Sequence, residues 1–142
     1  TASNVERLCF KAKSPIRQDI VDSLGVKELG ITRFIVTARS EDGKTYTLNE
    51  LSRHGIEHPR HLFMHPRSAP CTSSSEAGGA KERSRKRIEK KNFKIILNVG
   101  DAFHDHYTPP SHRDLHRGLR NNSCVVFIDP NDGCAHLKLV HP

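Results

Sequence analysis

Apolar residues recur in short runs that turn-forming residues separate, and this pattern predicts a domain of strands and short helices. Ser14 and Pro15 precede apolar residues on one helical face that Gly25 ends, which predicts a helix there. Two further short helices are predicted over residues 50–54 and 112–120. Runs rich in β-branched and aromatic residues predict strands near 5–12, 31–38, 45–48, 93–99, 124–129 and 135–140. The pattern favours an α+β fold with a small, mostly antiparallel sheet of about five or six strands and two or three short helices.

The last two predicted strands flank a turn rich in Asp, Asn, Pro and Gly, and they predict a hairpin. If positions 129 and 134 are the first paired positions, Cys124 faces about Leu139. Cys124 and Cys134 are then too far apart to form a disulfide. The four cysteines contain no C-x-x-C pair, so reduced thiols are expected. The alternation over 135–140 leaves one face solvated and predicts an edge strand.

A low-complexity stretch rich in Ser and Gly spans residues 71–80 and leads into a run of charged residues. Segments of this composition are typical of flexible loops. A chain of 142 residues is long enough for one core. The sequence therefore predicts a single domain over 1–142 with a long flexible basic insertion over 68–92.

Positive charge is concentrated in residues 81–94, where eight basic residues and two acidic ones supply +6 of the net +7 charge. Flexible basic segments bind nucleic acid through its phosphates. The run 83–87 also resembles a nuclear-import signal. The leading hypothesis is a nuclear nucleic-acid-binding domain, for DNA or RNA, that contacts phosphates through this basic loop. The predicted contacts are Lys81, Arg83, Arg85, Lys86, Arg87, Lys90, Lys91, Arg113, Arg117 and Arg120. The alternative for the run is a solvated loop that keeps the domain soluble.

The chain is histidine-rich, and one of its two histidine-dense segments spans residues 104–116. In an extended path two histidines at i, i+2 share a side, as do two at i, i+4 on a helix. Four imidazole nitrogens suit zinc, with Asp101, Asp105 or Asp114 orienting the rings. The runner-up hypothesis is therefore a zinc-binding domain, extending to a metal-dependent hydrolase. Its predicted ligands are His104, His106, His112 and His116.

A third hypothesis is a protein-interaction module that binds a partner protein through the edge strand at 135–140. No serine or cysteine lies in a recognisable catalytic motif, so no catalytic residue is assigned and a binding role is favoured over an enzymatic one. No cofactor is expected apart from the zinc of the second hypothesis. No apolar run reaches the length of a membrane span, so no membrane partner is expected.

Overall fold

The computed structural model describes residues 30–56, 61–66, 71, 73–109, 113–120, 123–128 and 135–139. The chain divides into two compact units, Thr1–Pro70 and Cys71–Pro142. The strand predicted near 5–12 and the helix predicted to end at Gly25 lie outside the described residues. That a single core serves the whole chain stays a prediction.

The first unit contains a parallel strand pair joined by a helix. Strand β1 (Ile35–Ser40) leads through a 3-10 turn (Glu41–Gly43) into helix α1 (Lys44–Arg53), and strand β2 (Leu62–His65) follows. β1 and β2 pair in parallel, which requires a crossover connection such as the one that α1 provides. Phe63 and Met64 of β2 are buried and supply the apolar core of this unit.

The strand predicted over 45–48 is wrong, because these residues belong to α1. The Ser40 hydroxyl accepts the backbone N–H of Asp42 at 3.2 Å and starts the 3-10 turn, which continues directly into the helix. Cap chemistry and turn geometry outweigh the strand preference of Thr45, Tyr46 and Thr47 here, and Tyr46 is 58% exposed. The helix predicted over 50–54 is confirmed as the C-terminal part of α1.

The second unit is a small mixed sheet with one long helix and a separate strand pair. Its elements are helix α2 (Ser74–Lys90) and strands β3 (Leu97–Gly100), β4 (Tyr107–Thr108), β5 (Asp114–Leu115), β6 (Cys124–Ile128) and β7 (Ala135–Leu139), with 3-10 turns at Phe103–Asp105 and Arg117–Arg120. The sheet order is β3-β6-β7, and β4 pairs with β5. β3 runs parallel to β6, whereas the pairs β6–β7 and β4–β5 are antiparallel.

The mixed helix-and-strand class is confirmed, but the mostly antiparallel sheet is correct only in part. The C-terminal hairpin is confirmed, with Cys124 opposite Leu139 as the sequence predicts. The helix predicted over 112–120 is wrong for the described residues 113–120, which form β5 and a 3-10 turn. Gly118 within that stretch lies so close to the Glu89 carboxylate of α2 that it has no space for a side chain.

The predicted flexible segment over 68–92 is largely occupied by α2, a helix of 17 residues. The Ser73 hydroxyl accepts the N–H of Glu76 at 3.2 Å and caps its first turn. The buried face of this helix includes Gly78, Ala80, Ser84 and Ile88. Most of these residues are small or polar, so the sequence shows no apolar stripe that would predict a buried helix face. Within the described part of the chain, no helix combines the length and the apolar character needed to cross a membrane.

Candidate functional site

A turn over residues 101–106 leaves the carboxyl end of β3 and lies against α2. Ligand sites of sheets with parallel strands gather at these carboxyl ends. Gly100, the last residue of β3, has no space for a side chain, because an added Cβ would collide with the Asp105 side chain. Glycine at this position therefore allows β3 and the turn to lie in direct contact.

Asp105 lies at the centre of the turn and is bonded on both carboxylate oxygens. Oδ2 accepts the backbone N–H groups of Asp101 and Ala102, each at 3.0 Å, and Oδ1 forms an ion pair with Nζ of Lys81 on α2. Burial alone would raise the pKa of Asp105, but the charge and hydrogen bond of Lys81 and the Ala102 N–H together lower it. The carboxylate stays charged and joins the turn to the helix.

His104 adds an imidazole to this ion pair. Its Nδ1 lies 3.4 Å from Nζ of Lys81 and 3.4 Å from Oδ1 of Asp105. An ammonium group only donates hydrogen bonds, so a bond from Lys81 requires Nδ1 to be the unprotonated nitrogen. The side chains of Lys81, His104 and Asp105 are 16%, 21% and 11% exposed, which leaves part of this Lys81–Asp105 cluster (Lys81, His104 and Asp105) open to solvent.

Arg85 lies one helical turn beyond Lys81 and is only 2% exposed. Its Nη1 donates to the backbone carbonyl of Asp105 at 2.7 Å. Its Nε and Nη2 are buried and have no hydrogen-bond partner among the described residues. Burial lowers the pKa of this guanidinium in spite of the negative charges of Glu82, Asp105 and Glu89 nearby.

His106 is fully buried beneath the same turn. The Asn98 amide donates to its Nδ1 at 2.7 Å, so Nδ1 is unprotonated and Nε2 carries the proton, which faces the carbonyl of Gly100 at 3.3 Å. Burial lowers the pKa of His106. The neutral ring also packs against Phe127 at a centroid distance of 5.3 Å, so its role is structural.

His116 is 1% exposed and packs against a second part of α2, beside the carboxylates of Glu82 and Glu89. Its Nε2 lies 3.2 Å from Oε1 of Glu89, and its Nδ1 lies 3.9 Å from Oε1 of Glu82. Burial, followed by the positive charge of Arg85, lowers the pKa of His116, although Glu89 opposes this. An added Cβ at Gly118 would collide with the Glu89 carboxylate, so this glycine leaves room for the Glu89–His116 bond.

The predicted zinc ligands are divided between these environments. His106 has both ring nitrogens engaged, His104 faces Lys81 and Asp105, and His116 faces Glu89. In the described part of the chain no three His, Cys, Asp or Glu side chains converge to hold a metal ion. His112 lies outside the described residues, so the four-histidine zinc site stays a prediction.

The predicted nucleic-acid contacts are also divided. Lys81 and Arg85 face the turn and bind its atoms, which a loop reaching out to phosphates would not do. The others lie exposed, and they are Arg83, Lys86, Arg87, Lys90, Lys91, Arg113, Arg117 and Arg120. Asp101 and Asp105 entered the sequence analysis only as partners for zinc-bound rings. The glycine two positions before Ala102 is the sequence signal that could have indicated a tight turn here.

The Lys81–Asp105 cluster brings a cation, a carboxylate and an imidazole close together near the end of a parallel strand. Hydrolytic enzymes use groups of these kinds. The comparison with protein families agrees with this class. A family model described as HAD superfamily, subfamily IIIB (acid phosphatase) matches residues 11–124, which is most of the chain. The chain belongs to this family.

The prediction of a nucleic-acid-binding domain, with its DNA-binding character, is therefore wrong, and the hydrolase alternative agrees better with the family. The charge of residues 81–94 misled the prediction, because α2 directs two of those cations inward. The nuclear localisation and the partner protein stay predictions.

Short matches to curated proteins of a different kind also occur. The chain is 56% identical over 32 residues to a deoxyribose-phosphate aldolase of Bos taurus and 53% identical over 32 residues to that of Homo sapiens. Each match covers 22% of this chain and 10% of the relative, so the chain spans about a tenth of the length of these relatives. No solved structure matches the chain.

Proposed function

We propose that this protein hydrolyses phosphate esters at the Lys81–Asp105 cluster. The observation that carries the proposal is the ion pair between Lys81, whose side chain is partly exposed, and Asp105, which holds the Lys81 ammonium beside the ring of His104. Membership of an acid phosphatase family supports the choice of phosphate esters as substrates. Phosphoryl transfer depends mainly on positioning and on cations that stabilise charge on the phosphoryl oxygens, and this cluster offers such a cation.

Lys81 is the group that binds a phosphoryl oxygen in this proposal. Its ammonium has three donors, and one of them goes to Asp105, which leaves others for a ligand or for His104. Asp105 keeps Lys81 in place and orders the turn through the N–H groups of Asp101 and Ala102. Asp105 is therefore a positioning residue, since both of its carboxylate oxygens are already bonded within the protein.

Asp101 supplies the attacking carboxylate. It follows Gly100 at the carboxyl end of β3, it is exposed, and its backbone N–H bonds the same carboxylate that holds Lys81. Attack by a carboxylate oxygen on phosphorus forms an acyl phosphate while the ester P–O bond breaks. The departing ester oxygen takes up a proton from solvent, because the neutral ring of His104 is too weak an acid to supply one. Water then cleaves the acyl phosphate, which releases inorganic phosphate and restores Asp101.

The test is release of p-nitrophenol from p-nitrophenyl phosphate by the purified chain, with Lys81→Gln compared with Lys86→Gln. Lys86 is the matched control, because it lies on the same helix and pairs with Glu82 at 3.2 Å, with 59% of its side chain exposed. We expect Lys81→Gln to lower kcat/KM by about 10²–10³, as loss of one charge-stabilising donor does, and Lys86→Gln to leave it unchanged. Failure of the wild-type chain to release p-nitrophenol, or equal rates in both variants, would contradict the proposal.

A further inference from the structure

The outer face of α2 carries a row of four cations. These residues lie at positions i, i+3, i+4 and i+7, so they follow one side of the helix. We call them the outer stripe, and they are Arg83, Lys86, Arg87 and Lys90, all exposed. The buried side of the helix includes Arg85, which contacts the turn over 101–106. The outer stripe is therefore separate from the groups that contact this turn.

The spacing within the outer stripe brings like charges together. Arg83 and Arg87 are four residues apart, as are Lys86 and Lys90, and like charges at this spacing weaken a helix. The helix dipole favours cations in the last turn, which contains Arg87 and Lys90 but not the other two. Glu82 pairs with Lys86 at 3.2 Å and offsets part of the repulsion. The stripe as a whole lowers helix stability, and anions from outside the chain would relieve this repulsion.

Large apolar side chains are exposed where the chain leaves this helix. Asn92 has a φ of 65°, the left-handed conformation that commonly ends helices. Beyond it, Phe93, Ile96 and Leu97 are 39%, 42% and 44% exposed. Lys94 lies among them and is exposed as well. Exposed apolar residues that adjoin a charged surface are typical of a site that binds a partner.

We propose that the outer stripe and Phe93 bind the surface of a bilayer that contains anionic phospholipids. Arginine and lysine side chains near such a surface are attracted to its negative headgroups. The stripe spans about 10 Å along the helix axis, so its four cations can meet one plane together. An aromatic ring beside them inserts at the boundary between headgroups and acyl chains. A contact of this kind lies on the membrane and needs no spanning helix.

A bilayer fits these residues better than an acidic polymer such as heparin, because it offers an apolar layer directly beneath its anionic groups. The cations alone would be attracted to any polyanion. The exposed Phe93 and its apolar neighbours leave water only when the partner supplies an apolar environment. The inference does not depend on phosphate-ester hydrolysis, since Lys81 and Arg85 contact the turn from the other face of α2.

The first experiment measures co-sedimentation of the wild-type chain with vesicles of phosphatidylcholine and phosphatidylserine in equal parts, and with vesicles of phosphatidylcholine alone. We expect binding to the anionic vesicles that weakens as sodium chloride is added, because salt screens the attraction, and no binding to the neutral vesicles. Absence of binding to the anionic vesicles at low salt would overturn the inference. Binding to heparin but not to vesicles would overturn it as well, because the partner would then be an acidic polymer.

The second experiment compares two triple variants that lose the same charge. The outer variant carries Arg83→Gln, Arg87→Gln and Lys90→Gln, and the control carries Lys44→Gln, Arg53→Gln and Arg117→Gln, which replace exposed cations outside α2. Each cation near an anionic surface raises the partition coefficient about five-fold, so the outer variant should bind about a hundred-fold more weakly. The control should stay within about five-fold of the wild type. Thermal denaturation verifies that both variants fold, and an equal loss of binding in both would contradict the inference.

The third experiment tests the role of Phe93 with a fluorescent reporter. The chain contains no tryptophan, so a single introduced residue supplies the whole tryptophan signal. The emission of Phe93→Trp should shift to shorter wavelength on the anionic vesicles, because the ring leaves water. Tyr46→Trp is the matched control, since Tyr46 is 58% exposed on α1, and its emission should not change. Unchanged emission of Phe93→Trp on vesicles that bind the protein would exclude this residue from the contact and overturn the inference.

Discussion

Asn98 donates a side-chain N–H to Nδ1 of His106 at 2.7 Å, and this bond determines which ring nitrogen of His106 carries the proton. The same amide nitrogen lies 2.7 Å from the carbonyl of Asp105. One side chain of β3 thereby connects the buried ring to the turn that carries the Lys81–Asp105 cluster. The Asn98–His106 pair itself is neutral, as its burial requires.

Replacing Asn98 with alanine should destabilise the protein. The change leaves Nδ1 of His106 buried without a donor, and an unsatisfied buried group costs about 1–3 kcal/mol. Asn49→Ala on the exposed part of α1 is the control and should change the free energy of unfolding by less than about 0.5 kcal/mol. Urea denaturation measures both variants, and equal stability of the two would contradict the role of Asn98.

A methyl group at Gly100 should lower both stability and phosphatase activity, because it collides with the Asp105 side chain and displaces the turn. Gly79→Ala is the matched control, since the nearest atom to its new methyl, on Arg83, lies 3.4 Å away. Gly79 is inside α2, so alanine there should stabilise the protein by up to about 1 kcal/mol. Thermal denaturation and p-nitrophenyl phosphate hydrolysis of the two variants test this. A Gly100→Ala protein with wild-type stability would show that the turn does not lie against β3.

The free energy of unfolding should decrease as the pH falls from about 6.5 toward 5. Burial lowers the pKa of His106 and of His116 in the folded protein, so the unfolded chain takes up protons first as the solution is acidified. Their contribution to stability is complete above the unfolded pKa and is lost below it. His106→Gln should make the dependence shallower. Urea denaturation between pH 7.5 and 5 checks the slope, and a rise in stability on acidification would show that the sign is wrong.

Replacing Asp101 or Asp105 with asparagine should distinguish the attacking carboxylate from the carboxylate that positions Lys81. Asp101→Asn should abolish hydrolysis with little effect on stability, because its carboxylate is exposed. Asp105→Asn should lower both, because it removes the charge that holds Lys81. Quenched reactions of the wild-type protein with a radiolabelled phosphate ester test whether an acyl phosphate forms. Retained turnover in Asp101→Asn would exclude this residue as the nucleophile.

The C-terminal hairpin and its register could be predicted because an uninterrupted apolar run and an alternating run flank an unmistakable turn. Helix α1 was predicted only in its second half. Its first half contains β-branched and aromatic residues, and the local cap at Ser40, not side-chain preference, decides its conformation. The parallel pairing of β3 with β6 could not be predicted, because it depends on contacts between two strands that are distant in the sequence.

The candidate site was beyond prediction for a related reason. Net charge counts Lys81 and Arg85 with their exposed neighbours, and only the helical periodicity of α2 separates them. The inward stripe of this helix consists of alanine, serine, lysine, arginine and isoleucine, so no hydrophobic periodicity reveals it. The zinc hypothesis treated Asp105 only as a partner that orients the rings, whereas in the structure its carboxylate bonds two backbone N–H groups and Lys81.

Burial of Arg85 against the carbonyl of Asp105 also has a consequence for cooperativity. The guanidinium cannot shed its charge, so α2 reaches its final position only when the turn supplies that acceptor. Helix docking and turn closure then form a single opening unit, and their amide hydrogens should exchange with solvent at one common free energy. The turn over 101–106 should therefore open together with part of α2 and not by itself.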